Sequence, residues 1–133
     1  KGILVPWLPG ALYYREGYGN TRGFMTDVVT RIANVRPVAD TSPMLEITLG
    51  VKADGGMALV QFVNNSGHFG TSYVEPLPVP DVKATVPCAR QAREAVSLVS
   101  GRLVPFTQAD GRITLSVGAV EEFESIRITL DGT

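Results

Sequence analysis

Hydrophobic and polar residues alternate along most of the chain after residue 43, a pattern typical of β-strands with one buried face. The alternation is clearest in the runs 45–51, 82–86, 113–117 and 126–130. Shorter apolar runs at 57–63, 95–99 and 103–106 bring the total to about seven strands. Asp54-Gly55-Gly56 and Asp110-Gly111 are typical hairpin turns. The pattern therefore predicts a mainly β chain, with an antiparallel β-sandwich of about seven strands over residues 37–133.

The first 36 residues follow a different pattern. Residues 2–6 are apolar and precede a Pro9-Gly10 turn signal, which predicts one short buried strand. Residues 7–19 are rich in aromatic residues and glycine, and we expect them to form a loop. The strand over 2–6 has no hairpin partner nearby, so we expect its sheet to belong to another domain.

One amphipathic helix is predicted over residues 21–33. Phe24, Val28 and Ile32 recur at a spacing of four, which places them on one helix face. Asn20 or Thr21 can serve as its N-cap. Residues 1–36 are thus predicted to be the strand–loop–helix tail of a preceding α/β domain.

Composition excludes several classes of function. The 133 residues carry 12 basic and 13 acidic side chains, a net charge of −1, so a nucleic-acid partner is not expected. No apolar run approaches the roughly 20 residues that span a bilayer, so no membrane partner is expected either. No signal peptide is visible in the first residues of the sequence, which leaves the compartment undefined; we expect a soluble protein of the bacterial cytoplasm, with secretion as the alternative. We expect no cofactor.

Few side chains offer catalytic or metal chemistry. His68 is the only histidine and lies in a predicted loop, without a nucleophile motif to accompany it. Cys88 is the only cysteine, and we expect it to be buried as a small apolar residue. Glu121, Glu122 and Glu124 are interpreted as a solvated charge run rather than a pair of glycosidase carboxylates. The tripeptide 64–66 matches an N-glycosylation sequon. No catalytic residue and no metal site are predicted.

An aromatic cluster near the beginning of the chain is the strongest candidate site. Its members are Trp7, Tyr13, Tyr14, Arg15 and Tyr18. Aromatic rings can stack on the C–H faces of sugars, but Trp, Tyr and Arg are also enriched in protein interfaces. The unpaired strand predicted over 2–6 favours an interface with a missing domain.

Three segments resemble a known family of enzymes. The run 4–10 with Tyr13-Tyr14 and Gly17-Tyr18 looks like the end of the flavodoxin-like domain in multidomain bacterial glycoside hydrolases similar to family 42 β-galactosidases. Residues 57–65, a strand followed by asparagine, and the late run from 96 to the last strand resemble the terminal β-sandwich of those enzymes. The resemblance implies that the catalytic carboxylates lie on a barrel absent from this chain.

Together these observations predict a non-catalytic C-terminal accessory domain of a carbohydrate-active hydrolase, which stabilises domain or subunit packing. The expected partners are upstream domains of the same polypeptide, with a second copy of the chain or a glycan as further candidates. The alternative is a carbohydrate-binding module that uses the aromatic cluster.

Overall fold

The computed structural model describes residues 2–33, 38–39 and 41–131. The chain divides into two compact units, Lys1–Pro37 and Val38–Thr133. The domain boundary predicted between residues 36 and 37 falls on 34–37, outside the described residues. The origin of residues 1–36 in a preceding α/β domain stays a prediction.

The described residues of the first unit, 2–33, contain two helices, α1 (Pro9–Glu16) and α2 (Gly19–Ala33). Helix α1 was not predicted, and the loop expected over residues 7–19 is wrong for most of its length. Pro9 lies in the first turn, where its missing N–H costs no hydrogen bond. Gly17 ends the helix with a φ of 68°, and its N–H donates to Tyr13 O at 2.8 Å.

Two further predictions for this unit need correction. Residues 2–6 form no strand, because no described segment pairs with their backbone groups. Helix α2 begins at Gly19, two residues before the predicted start, so Asn20 and Thr21 lie inside its first turn. None of the helices in the described stretches is long and apolar enough to cross a bilayer.

The second unit contains nine strands in its described residues. They are β1 (Leu45–Val51), β2 (Met57–Asn64), β3 (His68–Phe69), β4 (Ser72–Tyr73), β5 (Val79–Pro87), β6 (Ala92–Ser97), β7 (Phe106–Ala109), β8 (Arg112–Val120) and β9 (Phe123–Leu130). A 3-10 helix, Asn65–Gly67, follows β2. One sheet has the order β1-β2-β9-β6, a second has the order β5-β8-β7, and β3 pairs only with β4. All the pairs are antiparallel.

The two larger sheets enclose a common apolar core, which confirms the predicted β-sandwich. Inner-face residues of both sheets are fully buried, among them Val60, Phe62, Ile113, Leu115, Ile126 and Ile128. Strand β2 lies between β1 and β9, as expected for the most uniformly apolar strand. Burial of these alternate positions explains the period of two in the sequence.

Both predicted glycine turns join neighbouring antiparallel strands. Residues 52–56 connect β1 to β2, with Gly55 at a φ of 68°, and Asp110-Gly111 connects β7 to β8. Asp54 accepts a hydrogen bond from Gly56 N at 2.9 Å and lies 2.6 Å from Lys52 Nζ. These two contacts lower the pKa of the Asp54 carboxyl below its ordinary value, and the contact with Lys52 has the larger effect.

Candidate functional site

A groove of about 430 Å³ opens at one end of the sandwich. It lies where β6 and β8 end and β9 begins, so both large sheets contribute to its walls. Ser97, Ser100, Arg102 and Glu124 supply polar groups to it. Val99, Leu103, Val117 and Phe123 supply apolar surface. We refer to it as the mouth groove.

A tight turn after β6 forms one wall of the mouth groove. Gly101 N–H donates to Ser97 O at 2.9 Å, and Ser97 N–H donates to Arg102 O at 2.9 Å. Gly101 has a φ of 71°, a conformation that favours glycine. Leu98 N–H donates to Ser125 O at 2.7 Å, which ties the turn to β9. The backbone of this wall is therefore held by hydrogen bonds on both sides.

A chain of side-chain hydrogen bonds fixes a carboxylate in the mouth groove. Ser97 Oγ lies 3.0 Å and 2.9 Å from the two carboxylate oxygens of Glu124, and its single hydrogen is shared between them. Ser100 donates to Ser97 Oγ from both its backbone nitrogen, at 3.0 Å, and its hydroxyl, at 2.9 Å. Ser125 N–H donates to Glu124 Oε1 at 2.7 Å. Ser97 is buried and Glu124 half-buried, so the carboxylate is held in one position.

Asn64 anchors the turn at residues 121–122, and Glu121 of this turn also lines the mouth groove. The side-chain nitrogen of Asn64 donates to Leu77 O at 2.8 Å and to Glu121 O at 2.5 Å. Its side-chain oxygen accepts from Ser66 N at 3.1 Å, which caps the 3-10 helix. Asn64 is only 3% exposed. Because both amide hydrogens are engaged and the residue is buried, the sequon at 64–66 offers no acceptor for a glycan in the folded chain.

The acidic run was interpreted as solvated, which holds for only two of its three members. Glu121 and Glu122 are exposed, whereas Glu124 is half-buried and bonded to Ser97. The sequence carried a signal for this difference: Glu124 has the same alternation parity as the core residues Ile126, Ile128 and Leu130. A charged residue on the inner face of a strand marks the place where the core opens to solvent.

The predicted aromatic cluster belongs to the first unit. Trp7 precedes α1, and its ring lies 5.3 Å from the Phe24 ring of α2, centroid to centroid. Tyr13, Tyr14 and Arg15 lie on α1, and Tyr18 lies between the two helices. Exposure is 41% for Trp7, 94% for Tyr14 and 53% for Tyr18, whereas Tyr13 is half-buried. Arg15 Nε lies 2.8 Å from Glu16 Oε1. The role of these residues in an interface or a sugar site stays a prediction.

The remaining reactive side chains stand apart from each other. His68 is exposed on the short strand β3. Cys88 is buried and its thiol lies 3.2 Å from Arg90 O, as expected for a small apolar residue. Burial raises the pKa of this thiol, which disfavours the reactive thiolate. Among the described residues, no three histidine, cysteine or acidic side chains lie together as metal ligands would.

Comparison with known proteins identifies the fold. No family model matches the sequence, and no curated protein matches it. Among solved structures, the chain is similar to α-L-fucosidase isoenzyme 2 from Paenibacillus thiaminolyticus, with a TM-score of 0.74 and 13% sequence identity. The alignment covers 94% of this chain and 20% of the fucosidase chain. At this identity the likeness establishes a shared fold, and the chain spans about a fifth of the enzyme's length.

Proposed function

We propose that this chain is a non-catalytic accessory domain of a carbohydrate-active enzyme. The observation that carries the proposal is the likeness of nearly the whole chain, 94% of it, to one fifth of an α-L-fucosidase. The sequence resemblance to the terminal domains of family 42-like β-galactosidases supports the same class of parent enzyme. A fucoside or a galactoside is accordingly the substrate expected for that parent.

The exposed apolar surface of the first unit supports a packing role. Leu4 is 90% exposed and Leu8 is 77% exposed, and Thr21 is the only buried residue among residues 2–33. Burying apolar surface stabilises a protein by about 25 cal/mol per Å². We infer that this surface packs against an upstream domain of the same polypeptide, and that the packing stabilises the parent enzyme.

The proposal is tested first on the natural polypeptide. An antibody raised against this chain should detect, in the cells that produce it, a band several-fold heavier than 14.2 kDa. The purified 133-residue chain should hydrolyse none of the nitrophenyl glycosides of fucose, galactose, glucose and mannose. A single band at the mass of the chain, or turnover that co-purifies with it, would overturn the proposal.

The packing surface is tested with a matched pair of variants. A dye that fluoresces on apolar surfaces should bind the isolated chain, and the double variant Leu4→Ser/Leu8→Ser should bind much less of it. Leu77→Ser is the control, because Leu77 in the sandwich is 76% exposed, close to the 77% of Leu8. Equal dye binding by the chain and the double variant would contradict the inferred surface.

A second candidate function is carbohydrate binding by the aromatic cluster. The exposure of Tyr14, 94%, and of Tyr18, 53%, favours it, since both rings are open to a ligand. Trp7 is the only tryptophan, so sugar binding there should shift the intrinsic fluorescence of the chain. An unchanged emission spectrum at saturating sugar would remove this candidate.

A further inference from the structure

We propose that the mouth groove is a binding site for a neutral sugar ring, such as the terminal residue of a glycan. The choice of a sugar rests on the proposed function, and the groove itself is defined by the geometry of Ser97, Arg102, Phe123 and Glu124. Its volume of about 430 Å³ lies within the range of about 300–1,000 Å³ typical of small-molecule sites. The site is distinct from the aromatic cluster of the first unit.

The Glu124 carboxylate supplies hydrogen-bond acceptors that a sugar can use. Two carboxylate oxygens offer about four lone-pair sites. Ser97 and Ser125 are the only donors to Glu124 among the described residues, and none of the ion pairs there includes it. Acceptor capacity therefore remains at the groove surface, where sugar hydroxyls can donate to it.

The groove carries charged side chains of both signs, which suits a ligand that can both donate and accept hydrogen bonds. Glu121 and Glu124 both line it, so an anion meets two carboxylates. Arg102 lines it as well, so a cation meets a guanidinium. A guanidinium donates and a carboxylate accepts. A polyhydroxylated ring, whose oxygens both donate and accept, can satisfy the two groups together.

Apolar side chains in the groove match the other face of a sugar. Phe123 is 44% exposed, and Val99 and Leu103 are 61% and 71% exposed. An aromatic ring presents a negative face, which attracts the weakly positive C–H groups of a pyranose. Most of the polar partners are fixed before binding, because Ser97 is buried and bonded to both Ser100 and Glu124. Preorganisation of this kind lowers the entropic cost of binding.

The test is an NMR titration of the 133-residue chain with the methyl glycosides of fucose, galactose, glucose and mannose. At least one glycoside should shift the amide signals of Ser97, Ser100 and Phe123 at millimolar concentration. Phe123→Ala should raise the Kd at least about tenfold, or about 1.4 kcal/mol, and Glu124→Gln should also weaken binding. Tyr73→Ala, which removes an exposed ring outside the groove, and Glu46→Gln should leave the Kd unchanged.

Three results would overturn the site. They are an absence of shifts with all four glycosides, shifts confined to the aromatic cluster around Trp7, and an unchanged Kd for Phe123→Ala. The Phe123 variant decides the matter if Glu124→Gln fails to fold, because Phe123 is 44% exposed and lies outside the buried core. Failure of the site leaves the accessory role intact, since the mass and hydrolysis measurements test that role without any sugar binding.

Discussion

Replacing Asn64 by aspartate changes the hydrogen bonding of a buried side chain without changing its size. The side-chain amide nitrogen of Asn64 donates to both Leu77 O and Glu121 O. Among the described residues, no other side chain forms hydrogen bonds with both of these carbonyl groups. After Asn64→Asp, an oxygen faces both carbonyl oxygens and can donate to neither while ionised. The change therefore converts two favourable contacts into repulsive ones at a position that is 3% exposed.

The cost of this substitution follows from the two lost hydrogen bonds. Each contributes about 1 kcal/mol, and the Glu121 carbonyl left without this donor costs about 1–3 kcal/mol more, whereas Leu77 O still accepts from the Ser66 hydroxyl at 3.3 Å. We expect a loss of about 3 kcal/mol or more in the free energy of unfolding. For a domain of about 60–100 residues, that loss lowers the Tm by about 12–24 °C. Differential scanning calorimetry of the chain and the variant measures both quantities.

The matched control is Asn65→Asp, one residue along the chain. Asn65 is half-buried, and its side chain makes no hydrogen bond within the described residues. We expect its Tm to change little. The loss for Asn64→Asp should also be smaller in acid, since protonation removes the buried charge and restores one donor. Equal Tm values for the two variants would refute the assignment of Asn64 as the anchor of the 121–122 turn.

Three further predictions concern other parts of the sandwich. Burial raises the pKa of Cys88, so a thiol reagent should label it slowly in the folded chain and fast in denaturant; fast labelling of the folded chain would contradict the burial. Gly67→Ala should destabilise far more than Gly50→Ala, since a Cβ at Gly67 would clash with Val74 O whereas a Cβ at Gly50 meets no atom within 4 Å and needs no positive φ, and equal unfolding curves in urea would contradict this. Because the pKa of Asp54 is lowered in the folded chain, its carboxylate stabilises the fold at every pH above the ordinary pKa of the carboxyl, and this stabilisation is lost as the pH falls through the lower folded-state pKa. Asp54→Asn should therefore remove this part of the pH dependence of stability in acid. An NMR titration that gives Asp54 an ordinary pKa would disprove the prediction.

The sandwich was predictable because most of its strands have one buried and one exposed face, although on β1 only Leu45 is buried and Leu49 and Val51 are exposed. Val82, Ala84 and Val86 on β5 are buried, and their neighbours in sequence are exposed or half-buried. Apolar residues therefore occur at every second position of this strand. The prediction was least accurate where a strand ends. A strand was expected over 95–99, but β6 ends at Ser97 and residues 98–100 turn instead. Leu98 and Val99 are apolar yet exposed, so a prediction based only on the apolar character of residues placed the end of the strand too late.

Helix α1 shows why local signals can be ambiguous. Pro9-Gly10 is common in turns, but proline is equally suited to the first turn of a helix. The residues that decide between these outcomes come later, since Gly17 supplies the left-handed conformation that ends a helix of eight residues. An isolated helix this short is marginal in water. Helix α1 contacts α2, and no periodicity in residues 9–16 predicts that contact.

The mouth groove depends on a contact that the sequence records only in part. Glu124 lies an even number of residues before the core residues of β9 and therefore on the same face of the strand, so its inward direction could have been inferred from the alternation. Its partner could not, because Ser97 lies 27 residues away and reaches it through the pairing of Ser97 with Ile126. The pairing of β6 with β9 includes a register shift between Ala92 and Glu94. A single added residue in one strand reverses which face its side chains occupy. The irregularity in β6 thus determines that Ser97 faces Glu124, and the hydroxyl and carboxylate meet only after the two strands have paired.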